Sequence, residues 1–271
     1  MPADVPGGPP ALAVSDVSVC FGGLRALDRV SFAVEAGQVT GLIGPNGAGK
    51  TTLFDVLSGL QRPDAGRVEL AGRDVTRSGP HHRARLGLAR TFQRLELFWS
   101  LSVADNVRVA AESGFRWWRP ARHRPAGERL RFPVDELLER VGLAAVAGEP
   151  VDTLATGQAR LVELARALAI GPAVLLLDEP SSGLDEADTA ALGELLLDLA
   201  GRGMAVLLVE HDMDLVMSLS SEVHVLDHGR LIASGSPGQI RQDPQVRAAY
   251  LGALPAGDIP RTPPTGPGTA A

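Results

Sequence analysis

Lys50 is the only lysine among the 26 basic residues of this 271-residue chain. It stands in Gly44-Pro45-Asn46-Gly47-Ala48-Gly49-Lys50-Thr51, a G-x-x-x-x-G-K-[ST] pattern suited to holding phosphate groups. Glycines let backbone N–H groups close around phosphate oxygens. A lysine ammonium is a compact charge on a flexible stem. It reaches the β- and γ-phosphates where the planar fork of arginine fits poorly. Thr51 would offer its hydroxyl to Mg²⁺, and Thr52 continues into the phosphate-facing end of the next helix. The bland alternative is a glycine-rich turn with a chance lysine, but the apolar run before the pattern and the helical stretch after it argue against that.

A second set of residues could do chemistry with a bound phosphate. Val174-Leu175-Leu176-Leu177 is apolar and ends in Asp178-Glu179. Two adjacent carboxylates at the end of a buried strand are costly without a cation. Mg²⁺ would resolve the cost for Asp178, held directly or through water. Side chains alternate along a strand, so Glu179 is free to face an attacking water as general base. His211 follows another apolar run, Met204–Glu210.

The elements that must position these groups alternate between strand and helix. Leu12–Val19 and Val30–Val34 read as strands around a Gly22-Gly23 turn, and Val39–Ile43 leads into the phosphate loop. A helix is expected over Thr52–Leu60, and Arg67–Leu70 is another short strand. From Arg73 to Val151 helical stretches take over, including Asp135–Val141. Gln158–Ala169 is amphipathic, with Leu161, Leu164, Ala165 and Leu168 on one face. Strand Val174–Leu177, helix Asp188–Ala200, strand Met204–Val209 and a hairpin of Glu222–Leu226 with Arg230–Ala233 complete an α/β layered core.

Composition bounds the remaining choices. Aromatics are 4% of the chain, so Leu, Val and Ala must build the core. The single cysteine, Cys20, excludes an internal disulfide and is expected as a small buried residue. The longest apolar runs are too short to span a bilayer. The net charge of −6 hides an asymmetry: residues 73–131 hold 13 Arg against 5 acids, and residues 132–271 hold 8 Arg against 20 acids. The basic middle suits either an anionic or membrane-proximal partner or a solvated arginine-rich surface. Phe115–Phe132, with Trp117, Trp118 and six arginines, looks like an irregular insertion. The Pro/Gly-rich stretches 1–10 and 255–271 are expected to be disordered tails.

Several of these residues occur in a telling order. The phosphate loop, the Gln93 segment, Leu154-Ala155-Thr156-Gly157-Gln158, Asp178-Glu179, Ser182-Gly183-Leu184-Asp185 and His211 follow one another as in the ATP-binding-cassette ATPases, which the chain resembles over about residues 12–253. The resemblance implies a phosphate-loop ATPase core with an antiparallel β subdomain and an inserted helical subdomain at about 95–170, within a domain spanning 11–254. It implies ATP and Mg²⁺ as ligands. Phe21 would stack on adenine. Gln93 would reach the metal and the attacking water. Glu179 would be the base, and His211 would contact the γ-phosphate. Ala155, Thr156, Gly157, Gln158 and Asp185 would serve the nucleotide of a facing subunit. Ala155 departs from the family's usual serine and puts one hydrogen bond to that phosphate in doubt.

The resemblance further implies a head-to-tail partner of like fold, either a second copy or a different cassette chain. It also implies transmembrane permease subunits, a solute-binding protein, and a place on the cytoplasmic face of the inner membrane, with no nucleic acid. Three stretches look like the ATPases of branched-chain amino-acid importers: Gly87–Val107, Glu210-His211-Asp212-Met213, and Gln239 to Gly252. Importers of urea and short amides and the ATPase of lipopolysaccharide export share much of this. A soluble cassette protein of DNA repair or translation usually carries two cassettes or added domains. A phosphate-loop kinase or GTPase would not need residues 154–158.

Overall fold

A computed structural model of the chain describes residues 8–92, 94–115, 130 and 132–251. Two sheets form its frame. The first is antiparallel, ordered β2-β1-β4-β5, from β1 (Leu12–Phe21), β2 (Leu24–Val34), β4 (Ala65–Leu70) and β5 (Arg73–Asp74). The second has the order β10-β9-β3-β8-β7-β6, from β3 (Val39–Ile43), β6 (Leu88–Arg90), β7 (Val174–Asp178), β8 (Ala205–Val209), β9 (Glu222–Asp227) and β10 (Arg230–Gly235). Its strands pair in parallel except for the β9–β10 hairpin. All residues of β3, β7 and β8 are buried, as expected for strands covered on both faces.

Helix α1 (Lys50–Ser58) lies between the sheets. Its Leu53, Phe54, Val56 and Leu57 share one core with Leu12, Val19 and Val30 of the first sheet and Leu176 and Leu207 of the second. The opposite face of the second sheet packs on α3 (Val103–Phe115), α4 (Val134–Arg140), α5 (Thr156–Ala169) and α6 (Glu186–Gly201) through Val107, Leu137, Leu164, Leu177, Leu196 and Leu208. Leu161, Leu164, Ala165 and Leu168 are all buried, but so are Ala159, Val162, Glu163 and Ala167, so this helix is enclosed on most sides rather than amphipathic. A third cluster joins Ile43, Val223 and Val225 to α7 (Met213–Leu219), α8 (Pro237–Gln242) and α9 (Pro244–Leu251). Helix α2 (Pro80–Leu86) precedes β6.

Several expectations change, among them the second strand, which starts at Leu24 rather than Val30. Helix α1 starts at Lys50 and stops at Ser58, short of Leu60, because Gly59 takes φ 83° and turns its N–H back to the Val56 carbonyl. Strands β5 and β6 were not expected: two or three residues are too short to show alternation, and β6 forms because the edge of β7 offers it a ladder. Cys20 is exposed rather than buried, because the strand pleat sends Val19 into the core and Cys20 to the other face.

The basic middle of the chain is also not wholly a surface. Arg83 is completely buried and donates to the carbonyls of Val56 (2.5 Å) and Leu57 (2.7 Å) at the end of α1, and of Ser78 (3.0 Å) and Val75 (2.8 Å). Burial pulls its guanidinium down to about 10, still charged at neutral pH, and the negative end of the α1 dipole compensates that charge. The insertion of 115–132 with Trp117 and Trp118, Gln93, residues 1–7 and the stretch beyond Leu251 lie outside the described residues, apart from the backbone of Phe115 and residues 130 and 132.

Candidate active site

The phosphate loop leaves the carboxyl end of β3, and two of its glycines are there because neighbouring backbone leaves no room. A Cβ on Gly49, at φ 107°, would stand 2.7 Å from the Ala26 carbonyl oxygen. One on Gly44 would collide with the Leu226 carbonyl. The turn between β9 and β10 also holds the loop from outside, since Gly229 N–H donates to Ala48 O at 2.8 Å. Because α1 begins at Lys50, the first-turn N–H groups of Lys50, Thr51 and Thr52 point out of the helix without intrahelical acceptors. Lys50 Nζ donates to Gly44 O (2.6 Å) and Pro45 O (3.1 Å) across the mouth of the loop. Burial lowers its pKa, opposed by the charges of Glu179 and Asp178.

The two carboxylates at the end of β7 both line one cleft, but Glu179 lies just past the strand, so its left-handed backbone rather than strand alternation sets its direction. Asp178 is 5% exposed, and its Oδ2 is buried without a hydrogen-bond partner. Burial pushes its carboxyl pKa up; Arg90, with Nη2 at 3.6 Å from that oxygen, pulls it down. Glu179 has a φ of 51°, unusual for a residue with a side chain, and its N–H donates to Val209 O at 2.9 Å. Its Oε1 lies 2.8 Å from His211 Nε2. An ionised carboxylate can only accept, so the imidazole carries its proton on Nε2 in that pairing.

Glu210 was not singled out from the sequence. It is buried, accepts from Ser181 N–H (2.7 Å) and His211 N–H (3.2 Å), and so fixes both the turn after Glu179 and the histidine. The signal that marked Asp178-Glu179, an acid ending an apolar strand, was present at Glu210 too.

Phe21, Asn46, Gly47, Ala48, Gly49, Lys50, Thr51, Thr52, Asp178, Glu179 and His211 line a single cleft of about 790 Å³, with Arg25 and His228 at its rim. Phe21 is half exposed at the end of β1 and lines the cleft. The donor set fits Mg²⁺. Asp178 Oδ2 is a buried, unpartnered anionic oxygen, and Thr51 adds a neutral hydroxyl in the same cleft. Hard oxygens with phosphate as co-ligand are what magnesium takes.

Ala155, Thr156, Gly157, Gln158 and Asp185 are not part of this cleft. They gather elsewhere: a Cβ on Gly157 would collide with the Gly183 carbonyl, so the start of α5 rests on the Ser182–Asp185 loop. Ala155 is the N-cap of α5 and makes no side-chain cap bond. Asp185 caps α6 by accepting from Asp188 N–H at 2.8 Å. Ala155, Thr156 and Asp185 are exposed.

The chain is similar to known proteins over most of its length. The model of the family described as "ABC transporter" matches residues 27–182, and that of "Branched-chain amino acid ATP-binding cassette transporter" matches residues 230–253. The high-affinity branched-chain amino acid transport ATP-binding protein BraF of Pseudomonas aeruginosa is 40% identical over 251 residues, covering 90% of this chain and 98% of the relative. The lipopolysaccharide export system ATP-binding protein LptB of Acidithiobacillus ferridurans is 39% identical over 223 residues, covering 82% and 89%. Among solved structures, the ADP conformation of an ATP-binding cassette of an ABC transporter superposes with a TM-score of 0.75 at 30% identity, covering 89% of this chain and 98% of that one.

Proposed function

The chain belongs to the ABC transporter ATPase family, and from that premise we propose that it hydrolyses ATP to drive a membrane importer of branched-chain amino acids. One observation supports the ATPase reading above all. The phosphate-loop lysine, the buried Asp178 and the Glu179–His211 pair, contributed by distant parts of the chain, converge on one cleft. The carboxyl ends of parallel strands are where such sheets place ligands. The match of residues 230–253 and the 40% identity to BraF support the choice of solute.

In this reading Phe21 stacks on the adenine, and the loop from Gly44 to Thr52 wraps the phosphates. Lys50 turns from the Gly44 and Pro45 carbonyls toward the β- and γ-phosphates. Thr51, Asp178 and Gln93 would hold magnesium, which when bound offsets the charge of the phosphate oxygens. Glu179 takes a proton from the attacking water as the water oxygen bonds to the γ-phosphorus. The bond to the β,γ-bridging oxygen breaks, and ADP leaves with that electron pair. His211 holds the Glu179 carboxylate at 2.8 Å and steers it toward the water.

The 154–158 stretch and Asp185 complete the site of a facing cassette, either a second copy or a related chain. Residues 11–254 form the cassette and about 95–170 its helical part. Permease subunits receive the motion, and a solute-binding protein delivers the amino acid. Among the described residues no helix is long and apolar enough to cross a membrane. On this reading the chain is held at the cytoplasmic face of the inner membrane through the permease.

A second reading, the ATPase of lipopolysaccharide export, draws on the 39% identity to LptB. Reconstitution with the permease subunits that co-purify with the chain separates the two. ATP-dependent leucine uptake into proteoliposomes supports the importer. Stimulation of the ATPase by lipopolysaccharide without amino-acid uptake overturns it.

A further inference from the structure

Arg90 ends β6, the strand at the edge of the second sheet, and its side chain is only 6% exposed. Its guanidinium is gripped on several sides. The Phe54 and Phe92 rings lie with centroids 5.5 and 5.1 Å from its central carbon, so aromatic surface fixes its plane. Nη1 donates to Asp55 Oδ1 (2.6 Å) and Ser58 Oγ (3.1 Å), both on α1. Nη2 faces Asp178 Oδ2 at 3.6 Å, an ion pair longer than a hydrogen bond. One fork therefore joins the phosphate-loop helix to the end of β7. Asp55 is one helical turn beyond Thr51 and lies on the same face of α1.

We propose that Arg90 is a positioning residue that sets the spacing between two of the protein oxygens offered to magnesium, Thr51 Oγ1 on α1 and Asp178 Oδ2 on β7. The inference rests on the magnesium-nucleotide reading of the cleft. Asp178 keeps one buried oxygen without a hydrogen bond, and Arg90 stands close enough to hold that oxygen's charge but too far to occupy it. Through its other nitrogen Arg90 ties down the helix that carries Thr51. A fixed planar fork is needed to serve both partners at once; an ammonium has the charge but cannot span the two. Groups that orient metal ligands without touching the metal are worth about 10- to 100-fold in metal affinity.

The test uses the full chain and three variants, Arg90→Gln, Arg90→Lys and Asp55→Asn. The affinity for a fluorescent ATP analogue is titrated with EDTA and with excess Mg²⁺, alongside the unfolding midpoint. The parent should bind more tightly with Mg²⁺. Arg90→Gln should keep the parent affinity in EDTA and lose about tenfold or more of the magnesium-dependent gain. Arg90→Lys and Asp55→Asn should lose a smaller part of it.

A folded Arg90→Gln with the full magnesium gain overturns the proposal. So does one that loses affinity equally with and without the metal, since that reports a support for the loop rather than for the metal site. If Arg90→Gln does not fold, an unchanged magnesium gain in both Arg90→Lys and Asp55→Asn overturns it instead. A parent whose affinity ignores magnesium overturns the proposed function together with this inference. A responsive parent matched by its variants overturns this inference alone.

Discussion

The cleft at the phosphate loop and the stretch at residues 154–158 are both glycine-bearing helix starts, yet their surroundings differ. The helix after Gly49 opens into a cleft where Lys50, Asp178, Glu179 and His211 already meet. The helix after Ala155 opens onto solvent and the Ser182–Asp185 loop, outside that cleft. Both starts carry unpaired N–H groups and a positive dipole end, so both can face an anion. On the proposed function, only the first has the acids and base that act on a bound phosphate. On that reading the difference divides the work: one helix start serves a reaction centre of its own chain, and the other would meet a phosphate from a facing cassette.

The sharpest way to break that division is at Glu179. Glu179→Gln should cut turnover by about 10²–10⁴-fold while leaving ATP affinity intact, because an amide keeps the shape but cannot take the proton. A phosphate-release assay on the assembled complex, paired with nucleotide titration, checks both halves. Parent-like turnover would remove Glu179 from the role of base. Lys50→Arg should weaken ATP binding by about tenfold, roughly 1.4 kcal/mol, although charge is kept. Equal affinities by calorimetry would show that the loop tolerates a fork.

A third variant probes the bridge between the two regions. Glu163 on α5 is buried and accepts from Phe92 N–H at 2.9 Å, next to Gln93. Burial raises its carboxyl from 4.5 to about 7. A carboxyl raised by folding binds its proton more tightly in the folded chain. That contribution is fully present below the unfolded pKa and is lost as pH rises from about 4.5 through 7. Glu163→Gln keeps an acceptor for Phe92 and removes the titration. Its unfolding midpoint should therefore gain on the parent as pH rises from 5 to 8, by an amount on the order of 1 kcal/mol. Parallel pH curves would show that Glu163 does not titrate in this window. The smallest effect is expected at the N-cap of α5: Ala155→Ser should stabilise the chain by about 0.5–1 kcal/mol, read from chemical denaturation, because a hydroxyl can cap the helix. A destabilised Ala155→Ser would mean that the cap geometry rejects a side chain.

The cleft was legible in the sequence where chemistry is local. Lys50 stands out by residue type, and Asp178-Glu179 by two acids ending an apolar run. The long parallel strands were legible because burial on both faces leaves continuous apolar stretches, as in Val39–Ile43 and Val174–Leu177. What stayed hidden depends on distant parts of the chain. Arg90 looks like one more residue of a basic segment until β6 pairs with β7 and brings it to Asp178. Arg83 reads as a surface charge until the end of α1 is placed over it. Cys20 was misjudged because small size speaks for burial, whereas the phase of the strand pleat decides it.

The most direct test of the division between the two regions is the rate of ATP hydrolysis per chain across a dilution series, with the association state followed in parallel by sedimentation. The account predicts that the isolated chain binds ATP while monomeric yet hydrolyses it negligibly. Specific activity should rise only as cassettes associate or as the complex assembles. Turnover that stays constant per chain down to concentrations where sedimentation shows only monomer would contradict it.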